Sequence, residues 1–434
     1  MTSIKISLAT HIQSKEVVAG VHLLEMKTPV ADVVTIAGSL WGGPVFNPQN
    51  NRVLAQMMAV MLDQGTIDMD KFTISEKLEE IGAQITFSPV QYYLRFSARC
   101  LKGDVPLVIK LLADQLRNPL FPEEDLETMK TNQIGDLLRS KEETEVIATS
   151  RFLQEIYPKE HPNYVVPIDE QIDHIRKLSR SDLQDFHARS LGRGNLTIVA
   201  VGDLDGTVLE KAILDGFGSW HESGLSFAKA GSSGARDIKE ARKVVATMQD
   251  KTSVDIMIGQ PIGIDRDHKD FLPLKVGHYI LGGNFSARLM STVRDQAGLT
   301  YGIRSAVAGT DRTDGYWYVW GTFAPELVER GRSAAAEQIE QWINAGVTEE
   351  ELEAKKTTII GSYQVSFSTT GGIATQILIN RERGKEVSYL DDFPKEIAAL
   401  SRKDVNNAIR SYCNMENILF VAAGSINEKW EPLN

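Results

Sequence analysis

An arginine and a tyrosine seven residues apart stand in the stretch GGNFSARLMSTVRDQAGLTYGIRSAV, 282–307. The apolar residues before Arg294 have helical spacing, and Gly298 is placed to end that helix. Arg294 would then lie near a helix C-terminus and Tyr301 just beyond the turn. A guanidinium and a phenol that point into one cleft could donate hydrogen bonds to a peptide carbonyl as it becomes an oxyanion.

The same residues permit a purely structural interpretation, which spacing alone favours. Arg294 could neutralise the negative end of the helix, or pair with Asp295 or Asp311. Tyr301 could be a core aromatic residue whose hydroxyl group is satisfied. We expect structural roles for two further arginines of the stretch, Arg288 and Arg304.

Recognisable metal-binding spacing is missing from the sequence. The two cysteines, Cys100 and Cys413, are far apart and form no Cys-x-x-Cys, so we expect neither a disulfide framework nor a thiolate metal site. The eight histidines form no His-x-x-x-His or His-x-x-Glu-His, and a lone histidine is more often a surface or hydrogen-bonded core residue than a ligand. They are His11, His22, His161, His174, His187, His221, His268 and His278.

Composition narrows the class of partner. The 434 residues include 47 Lys and Arg against 58 Asp and Glu, a formal net charge of -11, which argues against nucleic acid or an anionic membrane as a partner. No apolar run is long enough to span a membrane, and residues 1–20 lack the apolar core of a signal peptide. We therefore expect a cytoplasmic protein, or a periplasmic one if a signal peptide has been removed.

The chain contains an internal duplication. Residues 178–205 align without a gap on 400–427, and 111–138 align more weakly on 334–361 in the same order. Each copy of the first pair has a serine followed three residues later by an aspartate, which predicts an N-capped helix, and then an apolar run that predicts a buried strand. Each copy of the second pair predicts two helices, the later one with an acidic first turn.

The strand signals follow the same repeat. Segments rich in β-branched and aromatic residues lie at 33–43 and 84–100, and again at 254–263 and 315–324. The sequence therefore predicts an α+β fold of two homologous tandem α/β domains, each a mostly antiparallel sheet packed with helices. Their predicted bounds are 1–222 and 244–434, joined by a linker rich in Ser, Gly and Ala at 223–243.

This layout resembles the M16, or pitrilysin and insulinase-like, zinc peptidases over nearly the whole chain. In active members the first half carries His-x-x-Glu-His on a helix before Met-Leu-x-x-Gly-Thr, and a later helix adds a Glu ligand. Histidines at i and i+4 share one helical face and can hold one Zn²⁺, while the Glu serves as base for the bound water. The matching segment here is QMMAVMLDQGT, 56–66.

The resemblance places non-ligating residues at the zinc positions. Gln56 and Val60 stand where the histidines would be, Ala59 stands at the base position, and counting onward places the third ligand position at Asp136. Alanine and valine have no lone pair to donate and glutamine is a poor zinc ligand, so a lone aspartate cannot hold the metal. We therefore expect no cofactor in this chain.

The second half of the sequence keeps a pair of residues that matches the M16 pattern, although the first half lacks the zinc ligands. In the family, an Arg and a Tyr seven residues apart reach the zinc site from the C-terminal domain, and Arg294 and Tyr301 match them, with Gly298 and Leu299 between. Some members divide one active site between two subunits. The resemblance thus implies the subunit without zinc of a heterodimeric metallopeptidase, inactive alone, whose Arg294 and Tyr301 would stabilise the carbonyl oxygen of an extended, unfolded peptide while a zinc-bearing partner cleaves it.

Two other classes of function stay open. The chain could be a structural or chaperone-like M16 homologue with no catalytic role, in which case Arg294 and Tyr301 would be incidental. It could also be a peptide-binding homodimer without chemistry. The sequence names neither the substrate nor the cleavage specificity, although the net charge of -11 mildly favours basic peptides.

Overall fold

The computed structural model describes residues 7–47, 52–225 and 234–433. Part of the predicted linker, 226–233, therefore lies outside the described residues. Runs of strands and runs of helices follow one another along the described chain, which confirms the predicted α+β class.

Eleven strands and fourteen α-helices are formed by the described residues. The strands are β1 (Ile12–Val18), β2 (Val21–Lys27), β3 (Val33–Trp41), β4 (Gln84–Pro89), β5 (Tyr93–Leu101), β6 (Leu196–Gly202), β7 (Arg242–Thr247), β8 (Val254–Pro261), β9 (Gly302–Ala308), β10 (Tyr316–Phe323) and β11 (Leu419–Gly424). The helices are α1 (Val53–Met61), α2 (Lys71–Glu80), α3 (Val105–Arg117), α4 (Glu123–Ser140), α5 (Thr144–Ile156), α6 (Ile168–Lys177), α7 (Arg180–Ser190), α8 (Gly206–Phe217), α9 (Phe271–Gly282), α10 (Val328–Ala345), α11 (Glu349–Val365), α12 (Thr370–Glu382), α13 (Tyr389–Ala399) and α14 (Arg402–Tyr412).

The strands form two sheets with matching topology. The first has the order β1-β2-β6-β3-β5-β4 and the second the order β7-β11-β8-β10-β9. The pairs β2/β6 and β7/β11 are parallel, and the other pairs in both sheets are antiparallel. From β2 onward each strand of the first sheet thus has a counterpart in the second, which confirms the duplication and the mostly antiparallel sheets.

The described chain divides into two compact units, and each takes a segment from both halves of the sequence. Unit 1 comprises the described residues of Met1–Gly135, Asp169–Ala228 and Gly361–Glu396; unit 2 comprises those of Asp136–Ile168, Lys229–Ile360 and Ile397–Asn434. The linear bounds 1–222, 223–243 and 244–434 remain a prediction about the sequence repeat.

Each sheet packs against a helix that comes from the other half of the chain. In unit 1, α12 packs on β3 and β6 through residues that include Ile373 and Ile377. In unit 2, α5 packs on β8 and β11 through Phe152 and Ile156. The two docked helices also begin alike, because their first residues bond to equivalent strands: Thr370 lies 2.8 Å from the hydroxyl of Thr35, and Thr144 donates to the carboxylate of Asp255.

Strand β6 shows that the sheet of unit 1 is buried on both faces. Ile198 and Ala200 belong to a core cluster with α1, α3 and α8, whereas the alternate residues Val199 and Val201 belong to the cluster with α12. Successive side chains of a strand point to opposite faces, so these clusters lie on opposite sides of the sheet. Its continuous apolar sequence follows from that double burial.

The first duplicated segment confirms the predicted helix starts. Ser179 and Ser401 each accept a hydrogen bond from the backbone N–H of the aspartate three residues later, whose carboxylate accepts one in return, so both α7 and α14 open with a capping box. The glycines that end β6 and β11 also repeat. Gly202 and Gly424 have φ of +146° and +151°. A Cβ on Gly202 would lie 2.0 Å from the carbonyl oxygen of Val33, and one on Gly424 would lie 2.8 Å from that of Ser253.

No helix within the described residues is long and apolar enough to cross a membrane.

Candidate functional site

Helix α1, on which the sequence predicts the lost zinc-site positions, is packed as a core helix. Met57, Met58 and Ala59 are buried in the core of unit 1, and Val60 packs partly against it. Gln56 is exposed, and its side-chain amide donates a 3.0 Å hydrogen bond to the side-chain oxygen of Gln133 on α4. The surface that would offer two imidazoles therefore offers an amide and an aliphatic side chain.

Asp136 lies on α4, one turn after Gln133. Its carboxylate forms an ion pair with Arg139, three residues further along α4, and its side chain is 54% exposed. Gln133 was not singled out from the sequence. The available signal was its position three residues before Asp136, which places both on neighbouring turns of one helical face.

The segment that carries Arg294 is a π-helix, Met290–Gln296, where the sequence predicted an ordinary helix. The buried residues Met290 and Val293 hold it against the core. Gly298 ends it as predicted: its φ is +63°, its N–H donates to the carbonyl of Arg294 at 3.0 Å, and the next N–H reaches the carbonyl of Val293 at 3.1 Å. Single π-helical turns are rare and occur frequently at functional sites.

Arg294 lies between two exposed aromatic rings. Its guanidinium carbon is 5.6 Å from the ring centre of Tyr301 and 5.6 Å from that of Phe285. Tyr301 is 86% exposed and Phe285 76% exposed, so neither is a core residue. The alternative in which Tyr301 is a buried aromatic residue is therefore wrong.

Of the two aspartates considered as partners for Arg294, Asp295 contacts it and Asp311 has another partner. Its Nη1 lies 3.4 Å from a carboxylate oxygen of Asp295, a long and partly exposed ion pair. Asp311 instead pairs with Arg266. Exposed pairs of this kind typically contribute about 0 to 1 kcal/mol, so the Asp295 contact does little to hold the guanidinium.

The two neighbouring arginines make structural contacts, as expected. Arg288 donates from Nε and Nη2 to both carboxylate oxygens of Glu351, at 2.5 and 2.6 Å. Burial raises the pKa of Glu351, but the Arg288 bonds and the Thr348 N–H outweigh it, so that pKa falls below its ordinary value. Arg304 donates to Glu145 at 2.5 Å and stacks 3.9 Å above the ring of Trp320.

Lys355 on α11, which bonds to the turn around Phe285, is a further residue that sequence reasoning missed. Only 6% of it is exposed, and its ammonium donates to Asn284 and Ser286, the two residues on either side of Phe285. Its spacing from the buried Leu352 is one helical turn, which could have indicated a position on the inner face of α11.

The deeply buried histidines are hydrogen-bonded core residues. His161 lies 2.7 Å from a carboxylate oxygen of Asp314 and stacks on the ring of Tyr157 at 3.9 Å. His278 lies 2.8 Å from the hydroxyl of Ser305. In residues 7–47, 52–225 and 234–433, no group of three or more His, Cys, Asp or Glu side chains is arranged to hold a metal ion.

Two family models match the chain. The model of the insulinase family, peptidase family M16, matches residues 23–161, and that of the peptidase M16 inactive domain matches residues 177–359. The chain belongs to the M16 peptidase family. The resemblance predicted from 56–66 and 282–307 is thereby confirmed.

Similar M16 proteins cover most of the chain. A non-peptidase homolog, YmxG of Helicobacter pylori, is 23% identical over 87% of this chain and 86% of its own. An uncharacterized zinc protease of Streptomyces coelicolor is 21% identical over 81% of this chain and 76% of its own. The crystal structure of a peptidase M16 inactive domain from Pseudomonas fluorescens matches the fold with a TM-score of 0.84, at 22% identity, over 95% of this chain and 97% of that one.

Zinc does not fit the residues that this M16 chain presents. Zinc sites in peptidases use three strong protein donors and leave one position for water. Here Ala59 and Val60 have only aliphatic side chains, which pack in or against the core. Gln56 is bonded to Gln133, and Asp136 pairs with Arg139. The chain is an M16 homologue without the metal chemistry of the peptidases.

Proposed function

We propose that this chain is the subunit without zinc of a two-subunit M16 peptidase and that it supplies Arg294 and Tyr301 to the active site of a zinc-bearing partner. The observation that carries the proposal is the pair formed by the partly exposed guanidinium of Arg294 and the exposed phenol of Tyr301, whose guanidinium carbon and ring centre lie 5.6 Å apart. Arg294 is held there by a π-helix whose residues Met290 and Val293 are buried. A chain that lacks the metal ligands and presents this pair fits one half of a divided active site.

The chemistry proposed for the pair is stabilisation of charge on the substrate. As water attacks a peptide carbonyl, the oxygen gains negative charge, and donors fixed near its final position stabilise that state more than the ground state. Arg294 has five N–H donors and Tyr301 has one O–H donor. The contact with Asp295 uses one terminal nitrogen of the guanidinium, which leaves others to face a carbonyl oxygen.

The buried residues of the π-helix support the precise positioning of Arg294 that the proposed role requires. Met290 and Val293 anchor the segment, and the glycine-ended turn sets the direction in which the chain leaves Arg294 toward Tyr301. Residues that position reacting groups must be held closely, because a displacement of about 1 Å can cost on the order of 100-fold in rate. The substrate class that fits such donors is an unfolded or extended peptide.

A second candidate is a structural or chaperone-like role without catalysis. It is favoured by the name of the Helicobacter pylori relative, a non-peptidase homolog, which shares 23% identity with this chain. Under this alternative the chain would bind peptides or a partner subunit, and replacing Arg294 or Tyr301 would leave any cleavage by the complex unchanged.

The test uses the complete complex. The chain is purified from its source together with the partner that carries His-x-x-Glu-His, and cleavage of an unfolded peptide is measured for wild type, Arg294→Ala and Tyr301→Phe. We expect each variant to lower kcat by about 100- to 1,000-fold with the complex intact, because each removes one donor to the oxyanion.

Arg176→Ala is the matched control. Arg176 also lies in the last turn of a helix and pairs with an aspartate at 3.4 Å, but it is in α6 of unit 1. Its variant should cleave at the wild-type rate. Wild-type rates for Arg294→Ala and Tyr301→Phe in an intact complex would refute the catalytic role and favour the structural alternative.

A further inference from the structure

Phe285 is an exposed aromatic residue in a turn that the fold holds rigidly. It is 76% exposed, between Asn284 and Ser286. The buried Lys355 ammonium donates to the side-chain oxygen of Asn284 at 2.9 Å, to the carbonyl of Ser286 at 3.1 Å and to its hydroxyl at 2.7 Å. Both neighbours of Phe285 are therefore fixed to α11 by one cation.

Further bonds close the turn around the exposed ring. The side-chain amide of Asn284 donates to the hydroxyl of Tyr279 at 3.3 Å, and the N–H of Ala287 donates to the carbonyl of Asn284 at 3.0 Å. Burial lowers the pKa of Lys355 below its ordinary value, so the fold pays a desolvation cost to keep this cation beneath the turn. Exposure of Phe285 is thus a fixed feature of the turn.

The position of Phe285 relative to Arg294 suggests what the ring contacts. Its centre lies 5.6 Å from the guanidinium carbon. An extended peptide advances about 3.3 Å per residue, with side chains on alternate faces. If Arg294 holds a substrate carbonyl, a side chain within one or two residues of that carbonyl reaches the ring of Phe285.

We propose that Phe285 is a specificity-determining residue that favours peptides with an apolar side chain beside the carbonyl held by Arg294, and that Lys355 is its positioning residue. This inference rests on the proposed function. An apolar contact in an enzyme pocket typically discriminates by about 10- to 200-fold, and an aromatic ring on a fixed turn contributes its contact area with little loss of conformational freedom.

The test measures kcat/KM of the complete complex on a peptide series in which Phe or Ser stands in turn at each of the three residues on both sides of the cleaved bond. At one position, wild type should prefer Phe to Ser. Phe285→Ala should lower kcat/KM for that Phe peptide by about 10-fold or more, leave the Ser peptide unchanged, and so abolish the preference. Phe285→Leu should restore a large part of it.

Phe72→Ala is the matched control. Phe72 is 74% exposed and has the ammonium of Lys71 5.4 Å from its ring centre, but it lies on α2 of unit 1. Its variant should keep the wild-type preference. Lys355→Met should raise KM for the Phe peptide and leave kcat for the Ser peptide unchanged. If Lys355 had a merely structural role, the variant would lower kcat/KM for both peptides together.

The variants separate failure of this inference from failure of the proposed function. Arg294→Ala should lower kcat/KM for both peptides equally; if it does not, the proposed function itself fails. If Arg294→Ala behaves as expected but Phe285→Ala changes neither peptide, or changes both equally, Phe285 does not set specificity. An equal loss accompanied by weaker assembly would assign the ring to the partner interface instead.

Discussion

His278 is a buried imidazole that unit 2 keeps neutral. It lies between the rings of Trp317 and Trp342, with the hydroxyl of Ser305 at 2.8 Å and the sulfur of Cys413 at 3.6 Å. Burial lowers its pKa from 6.5 to about 3. Because the folded-state pKa is the lower one, the stability this histidine contributes is present above about pH 6.5 and is lost as the pH falls toward 3.

Replacing His278 with Gln should weaken that pH dependence. At pH 5 the unfolded chain binds a proton that the folded chain does not, which costs wild type about 2 kcal/mol relative to pH 7. Chemical denaturation of wild type and His278→Gln at pH 7 and pH 5 measures the difference. His11→Gln, at an exposed site, is the control and should follow wild type. Equal losses in wild type and His278→Gln would contradict the prediction.

At the scale of single residues, the sequence allows residues that match a family pattern to be singled out. It does not identify residues of ordinary type whose importance depends on contacts distant in the sequence. Arg294 and Tyr301 could be singled out because the residues around them, including Gly298 and Leu299, match the pattern of the M16 family. Gln133 has only the indirect signal of its position three residues before Asp136, since a glutamine on a polar helix has no local signal for the amide that it meets. The exposure of Phe285 could not be predicted from the sequence around it, because that exposure depends on contacts to α11, which follows about 60 residues later.

At the scale of elements, the repeated capping boxes make a direct prediction. The hydroxyls of Ser179 and Ser401 accept from the N–H of Asp182 and Asp404 at 3.3 and 3.2 Å, which satisfies one of the open donors at the start of α7 and of α14. Ser179→Ala and Ser401→Ala should each lower the free energy of unfolding by about 1 kcal/mol. Chemical denaturation of the full chain measures the loss.

Ser333→Ala provides the control for the capping variants. Ser333 is exposed in the interior of α10, where alanine is the better helix former, so this variant should be neutral or slightly stabilising. The capping assignment is wrong if all three serine variants have the same stability.

Local sequence patterns predicted where helices and strands form better than they predicted which elements pack against one another. The serine and aspartate pairs fixed where α7 and α14 begin because a cap depends only on neighbouring residues. The apolar stripe of α5 indicates that Phe152 and Ile156 are buried, but nothing in the stripe says that they cover the sheet of β8 and β11. The π-helix also escaped prediction, since its apolar residues fit an α-helical period over so short a segment.

At the scale of the whole molecule, the two sheets have matching topology but the proposed site residues of the two halves differ. Each strand of the first sheet from β2 onward has a counterpart in the second sheet, yet the two halves of the sequence differ at the predicted sites. The first half has a core helix with Ala59 and Val60 at predicted zinc-site positions, and the second half has the partly exposed Arg294 beside the exposed Tyr301. A duplication preserves the packing that both copies need and leaves each surface free to diverge. The proposed division of one active site between two subunits extends the same separation of roles.

The isolated chain should therefore bind no stoichiometric zinc and cleave no peptide. After dialysis against EDTA and then a small excess of Zn²⁺, metal analysis of wild type should give well below one zinc per chain. The reason is that Gln56, Ala59 and Val60, at the predicted donor and base positions, include no strong zinc ligand. The contrast is the triple variant Gln56→His, Ala59→Glu, Val60→His, which gains two imidazoles on one face of α1 and should retain more zinc. One tightly held zinc per wild-type chain, or peptide cleavage without a partner, would overturn the assignment of this chain as the half without metal.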